Sequence, residues 1–264
     1  MGIGSDWSPS GSKNMLGELK VARLVSQAQG GVFSDREIVS MATRQAAAVL
    51  QWDKVLGTLE AGKRADLLVV GGKSGDPYAA LLQAKETAIR LVMINGVARY
   101  GMPSLMGALG AVGEGLRVGG LSRMVFLRQV TADPVMAATP LGQARDTLKD
   151  AFRRIAELAR KLEQPPPAAP RLALGRPAAP VWSLALDEIE DTGVDLRPRL
   201  PLSGQSALTG ASRSAARAAV PLSTILEPMD LDPLTVADDG EFLERIAAQK
   251  NLPAFLPSEL AALY

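Results

Sequence analysis

The sequence predicts an α/β protein, and three observations carry that prediction. Short apolar runs end at glycine pairs, as strands do. Segments with apolar residues at three- and four-residue steps begin at capping residues, as helices do. An Asn-Gly pair separates two apolar stretches, as in a tight hairpin.

The elements follow in order. Gly2-Ile3-Gly4-Ser5 reads as the end of a strand with Asp6 at its mouth, and the Ser/Pro/Gly-rich stretch from Trp7 to Ser12 reads as a loop. Ser12 is the expected cap of a helix from about Lys13 to Gln27, with Met15, Leu16, Leu19, Ala22 and Leu24 on one side. Ser34-Asp35-Arg36-Glu37 is a capping box that opens a short helix through Ile38, Val39 and Met41. A second short helix begins near Thr43 and carries Ala46, Ala47 and Leu50. Gly57 and Gly62 bracket turns. Ala65 to Val70 reads as a buried strand ending at Gly71-Gly72, with Asp66 a structural partner at its start. Asp76-Pro77 caps a helix through Leu81 and Leu82. Ile89 to Ile94 and Val97 to Tyr100 pair across Asn95-Gly96, which accepts the positive φ angles of a type I′ turn.

Beyond the hairpin, Met102 to Gly120 is glycine-rich and of undetermined form, and Leu121 to Val130 is a candidate strand. Gly107, Gly110, Gly113, Gly115, Gly119 and Gly120 lack the Lys-Ser/Thr ending of a phosphate-binding loop and read as loop glycines. Thr147 to Glu163 is the clearest amphipathic helix. Leu148, Phe152, Ile155, Leu158 and Leu162 form its apolar face, and Arg153, Arg154 and Lys161, offset by Glu157 and Glu163, form its wet one. Gln164 to Pro180 is a proline-rich linker. Residues 181–264 follow, with helices expected from Gly240 to Lys250 and from Pro257. Trp7, Trp52 and Trp182 are expected to pack rather than to stack on a ligand.

Composition narrows the chemistry. The 264 residues carry 29 Lys+Arg against 28 Asp+Glu, so no charge excess attracts nucleic acid or an acidic membrane surface. There is no cysteine and no histidine. That removes disulfides, thiolate or imidazole metal ligands, thiol nucleophiles and Ser-His couples. No apolar run reaches the ~20 residues of a membrane span. No signal-peptide pattern opens the chain, and Asp6 stands where a myristoylation motif wants Ser or Thr. A cytoplasmic protein is expected.

Four blocks then carry a resemblance. They are Gly4-Ser5-Asp6-Trp7-Ser8-Pro9-Ser10-Gly11-Ser12-Lys13-Asn14 with Gly17-Glu18-Leu19-Lys20; Met41-Ala42-Thr43-Arg44-Gln45-Ala46-Ala47; Leu56-Gly57-Thr58-Leu59-Glu60-Ala61-Gly62-Lys63-Arg64-Ala65-Asp66-Leu67-Leu68-Val69-Val70; and Val92-Met93-Ile94-Asn95-Gly96-Val97-Ala98-Arg99-Tyr100-Gly101. In that order they resemble the amidohydrolase superfamily, in its cytosine/guanine deaminase and chlorohydrolase-like branch. The resemblance implies the C-terminal fragment of a (β/α)8 metal-dependent hydrolase barrel plus part of its small β-sandwich, followed by an α-rich extension. The implied divisions are 1–55 for the last barrel strand and helices, 56–101 for the sandwich return, 102–163 for the extension, 164–180 for the linker and 181–264 for a tail.

The family hydrolyses non-peptide carbon–nitrogen or related bonds of small molecules with a divalent metal, zinc or iron. Barrel active sites lie at the C-terminal ends of the strands. By the resemblance Asp6 is the metal ligand there and accepts a proton from metal-bound water, while Ser8, Ser10 and Asn14 are weaker candidates for substrate contact. Read without the resemblance, Asp6 is an ordinary loop or cap carboxylate. One carboxylate does not hold a catalytic metal, which takes about three protein ligands. The expectation is therefore a chain that binds no metal and is inactive alone, needing an upstream chain with the rest of the barrel. The alternative is a non-catalytic remnant or protein-interaction scaffold.

Overall fold

A computed structural model describes residues 1–5, 12–72, 75–129, 137–163, 222–250 and 252–264. They fall into two compact units, Met1–Leu141 with Asp232–Tyr264, and Gly142–Leu231.

The first unit is a mixed α/β assembly around one antiparallel five-stranded sheet. Its elements are α1 (Met15–Ala28), α2 (Asp35–Met41), α3 (Arg44–Val49), β1 (Leu67–Val70), α4 (Pro77–Leu82), β2 (Ile89–Ile94), β3 (Val97–Gly101), α5 (Pro103–Ala108), β4 (Glu114–Val118) and β5 (Leu121–Val125). The strand order is β1-β2-β3-β5-β4. Asn95 and Gly96 have φ of 51° and 78°, the expected signature of the type I′ hairpin between β2 and β3. The Asn95 N–H donates to Asp66 Oδ1 at 2.6 Å, so Asp66 does support the strand start.

Local chemistry sets the helix starts. The Ser34–Glu37 capping box forms in both directions. The Asp76 carboxylate accepts from the N–H groups of Tyr78 and Ala79, with Pro77 first in α4. At α1, however, the cap is Asn14 rather than Ser12: Asn14 Oδ1 accepts from Gly17 N at 3.2 Å. Ser12 Oγ instead donates to Glu18 Oε1 at 2.6 Å, which places Ser12 outside the first turn.

Other expectations change. Residues 1–5 form no strand; Ile3 N donates to Met41 O at 3.0 Å, a single bond where a strand requires a ladder. Strand β1 is not buried: Leu68 and Val69, successive residues that point to opposite faces of the sheet, are both exposed. Trp52 is 53% exposed and does not pack as a core residue. The glycine-rich stretch resolves into α5 and the β4–β5 hairpin, turned by Gly119 and Gly120 at φ of 55° and 76°. The candidate strand from Leu121 ends at Val125.

Three apolar clusters hold the unit. Leu19, Ile38 and Leu82 join α1, α2 and α4. Leu91, Ala98 and Met106 join the hairpin to α5. Leu24 of α1 packs with Val236, Phe242, Ile246, Leu256 and Leu260, so the C-terminal segment covers α1. That segment contains α8 (Phe242–Ala247) and α9 (Leu256–Ala261), numbered after the two helices of the second unit.

In the second unit, α6 (Leu141–Arg153) and α7 (Ile155–Glu163) replace the single helix expected from Thr147. Backbone bonds from Arg154 N to Asp150 O (3.1 Å) and Leu158 N to Arg154 O (2.9 Å) carry the helical pattern across the junction. Arg154 pairs with Asp150, and Lys161 Nζ lies 2.6 Å from Glu157, as expected for a solvated face. Among the described residues no helix is long and apolar enough to cross a membrane. The linker at 164–180, Trp7 and Trp182 lie outside the described residues.

Gly57 has φ of 93°, and a Cβ there would sit 2.5 Å from the Cβ of buried Ala47. Gly57→Ala should lower stability by about 2 kcal/mol or more, combining a left-handed penalty with overpacking. Gly107→Ala, in α5 with open space around it, should be neutral or stabilising by up to ~1 kcal/mol. Urea unfolding midpoints of the two variants check this contrast.

Candidate functional site

Of the four candidate site residues, Asp6, Ser8 and Ser10 lie outside the described residues. Asn14 is described, and its amide is used twice. Oδ1 caps α1, and Nδ2 donates to Glu86 Oε1 at 2.5 Å.

Glu86 leads to a polar centre that the sequence reading missed. The residue is 6% exposed and lies just before β2. Besides Asn14, its carboxylate accepts from the backbone N–H groups of Val236 (3.1 Å) and Ala237 (2.8 Å). A buried carboxylate is costly unless its oxygens are hydrogen-bonded, and these three donors engage both of them. Neighbouring bonds repeat the theme. Lys13 Nζ lies 2.5 Å from Asp239 and donates to Pro233 O at 2.8 Å. Arg245 also pairs with Asp239. Gly119 N donates to Asp238 Oδ1 at 2.9 Å, and Lys85 Nζ to Tyr264 O at 2.5 Å.

Lys20 is the least expected member. Its side chain is fully buried, donates to the carbonyls of Ala84 and Leu16, and lies 5.1 Å from the centroid of the Tyr264 ring. Burial pulls the Lys20 ammonium down to about 8; the Glu86 charge opposes this and Lys85 adds to it. Burial likewise pushes the Tyr264 hydroxyl up to about 12, helped by Glu86 and Glu18. Burial would raise Asp239, but the bond and charge from Lys13, with Arg245 and the Glu241 N–H, outweigh it and hold the carboxyl below its ordinary value. A cavity of about 400 Å³ opens beside this network, lined by Lys85, Glu86, Thr87, Gly119, Asp239 and Tyr264 among others. Its charged groups are turned to partners within the protein, so the centre is built to hold elements together.

One signal for it stands in the sequence. Lys20 is four residues from both Leu16 and Leu24, which puts a lysine on the apolar stripe of α1. Nothing local marks Glu86 or Asp239, whose partners are distant in the chain.

The donor set does not fit a catalytic metal. Among the described residues no group of three His, Cys, Asp or Glu side chains converges, and the sequence has no histidine or cysteine to add. Such a metal needs about three protein ligands in a fixed geometry.

Residues 1–99 match the model of the amidohydrolase family. That match supports a hydrolase-like function, in a family that generally uses divalent metals. No curated protein and no solved structure matches the chain.

Glu86→Ala should strand the N–H groups of Val236 and Ala237 and cost about 2–3 kcal/mol, read by thermal or urea unfolding. Asp239 makes a separate acid-side prediction. Its folded value is lowered, so its contribution is complete above its unfolded value near ~4 and is lost as pH falls through the folded value. Acidification below pH ~4 should therefore cost the wild-type chain more stability than Asp239→Asn.

Proposed function

We propose that residues 1–99 are the C-terminal segment of a metal-dependent amidohydrolase of the cytosine/guanine deaminase and chlorohydrolase-like branch, acting on non-peptide carbon–nitrogen bonds of small molecules. In this reading residues 1–55 descend from the last strand and helices of a (β/α)8 barrel, and residues 56–101 are the return into its β-sandwich. Asp6 keeps the place of a metal ligand, with Ser8 and Ser10 beside it at the substrate. Asn14, its amide taken by Gly17 and Glu86, anchors the far end of that loop.

The observation that carries this reading is the family match over residues 1–99 in a chain without histidine. A mononuclear site of this family is built mainly from imidazoles, so the missing ligands come from outside these 264 residues. The 264 residues alone hold no metal and are inactive, and the proposed partner is a polypeptide segment carrying the rest of the barrel. The surface is consistent with such a partner. Val49, Leu50, Trp52, Val55 and Leu59, all inside the matched region, are exposed, with Leu59 at 81%. A contiguous exposed apolar patch is the kind of surface that takes a protein partner, and these five residues lie within eleven positions of one another. The cytoplasm is the proposed compartment.

The test is metal content and turnover of the purified chain after incubation with zinc or iron(II). The expected outcome is substoichiometric metal by mass spectrometry and no release of ammonia from heterocyclic amines or amides. Tight, stoichiometric metal or turnover by the chain alone would overturn the reading. Binding of an apolar dye, reduced by Trp52→Ser with Leu59→Ser, checks the exposed surface.

A further inference from the structure

Three elements meet at Lys20. They are α1 itself, the turn between α4 and β2 that supplies the Ala84 carbonyl, and the C-terminal residue pair Leu263-Tyr264, whose ring lies over the ammonium. Among the described residues no carboxylate forms an ion pair with Lys20. The charged and titratable groups facing it are known from each packed element. From the α4–β2 turn they are Glu86, whose oxygens are filled by Asn14, Val236 and Ala237, and Lys85, which donates to Tyr264 O. From the C-terminal segment there is the Tyr264 hydroxyl, which stays protonated up to about 12. From α1 there is Glu18, whose Oε1 is occupied by Ser12 Oγ. An ammonium has thus been enclosed with two carbonyls and a ring where water or a carboxylate would serve it better.

We propose that Asp232–Tyr264 is a pH-sensitive strap, which closes over α1 more tightly when Lys20 is neutral than when it carries its proton. The strap has its own apolar seam, from Val236 to Leu260 against Leu24, and its own polar ties, at Glu86, Lys13, Lys85 and Gly119. These set the docked position. Lys20, enclosed at the seam, is the group whose proton answers to pH, since burial draws it from its ordinary value of 10.5 to about 8. The sign follows from linkage. With the strap lifted, Lys20 regains solvent and holds its proton; with the strap down, it releases that proton to the medium. Between those two values the open form binds more protons, so rising pH favours the closed form.

The experiment is amide hydrogen exchange of the full chain between pH 7.5 and 9.5, corrected for intrinsic base catalysis. The reporters are amides bonded within α8, at Arg245 and Ala248, with those of the β2–β3 hairpin as the internal reference. Protection in α8 should rise about tenfold across this window while the hairpin stays level. Lys20→Met, which is about as long as lysine but carries no charge, should be at least as protected at pH 7.5 as the wild-type chain is at 9.5, with no rise across the window. A level α8, an equal rise in the hairpin, or the same rise in Lys20→Met would overturn the proposal. Should Lys20→Met not fold, the Lys20 13Cε titration in the wild-type chain decides. A midpoint near 8, with the rise in exchange protection beginning there and continuing above it, supports the strap, and a midpoint at the ordinary lysine value overturns it. None of these readouts involves metal or turnover, so the outcome is independent of the hydrolase reading.

Discussion

A single buried carboxylate ties the first unit together. Glu86 receives a side-chain donor from the start of α1 and two backbone donors from the C-terminal segment, while its own backbone leads into β2. Helix, sheet and C-terminal segment therefore share one charge. Desolvating a carboxylate costs several kcal/mol, and that cost is met only when every donor is in place. The arrangement is consequently specific as well as stabilising, because partial docking leaves the charge buried and unsatisfied.

Around that point the contacts divide by chemistry. Apolar clusters supply the bulk of the adhesion, through Leu19, Ile38 and Leu82 on one side of α1 and Leu24 on the other. Ion pairs and backbone bonds from Lys13, Lys85 and Asp238 fix the register of the C-terminal segment. Lys20 is the exception, since its enclosure opposes docking while it is charged. The family match ends at residue 99, yet the residues that complete the Glu86 centre lie between 232 and 264. The matched region is thus joined, on the face of α1, by residues that lie outside the match.

Much of the local structure was legible in the sequence. The Ser34–Glu37 box, the Asp76-Pro77 start and the Asn95-Gly96 turn each depend on residues within four positions of one another, and each appears where expected. Misreadings occurred where a neighbour decides. Ser12 and Asn14 are both good caps, and the choice between them turned on Glu18 and Glu86. An apolar run such as Leu67–Val70 reads as buried, but its exposure depends on what covers the two faces of the sheet. The period of the stretch from Thr147 marks it as amphipathic helix, but no periodic signal marks the start at Leu141. Of the candidate site, only Asn14 lies among the described residues, and its amide serves the fold.

By itself the sequence determined the capped helices, the hairpin, the family resemblance of the first hundred residues, and the absence of any imidazole or thiol for metal chemistry. These follow from residue type and short spacing, which a chain carries before it folds. Only the tertiary structure decided that Glu86 is a buried hub, that Lys20 is enclosed with no ion pair among the described residues, and that the last residues of the chain return to α1. Such facts depend on desolvation and on partners more than 60 residues away, and neither quantity exists until the chain has closed on itself.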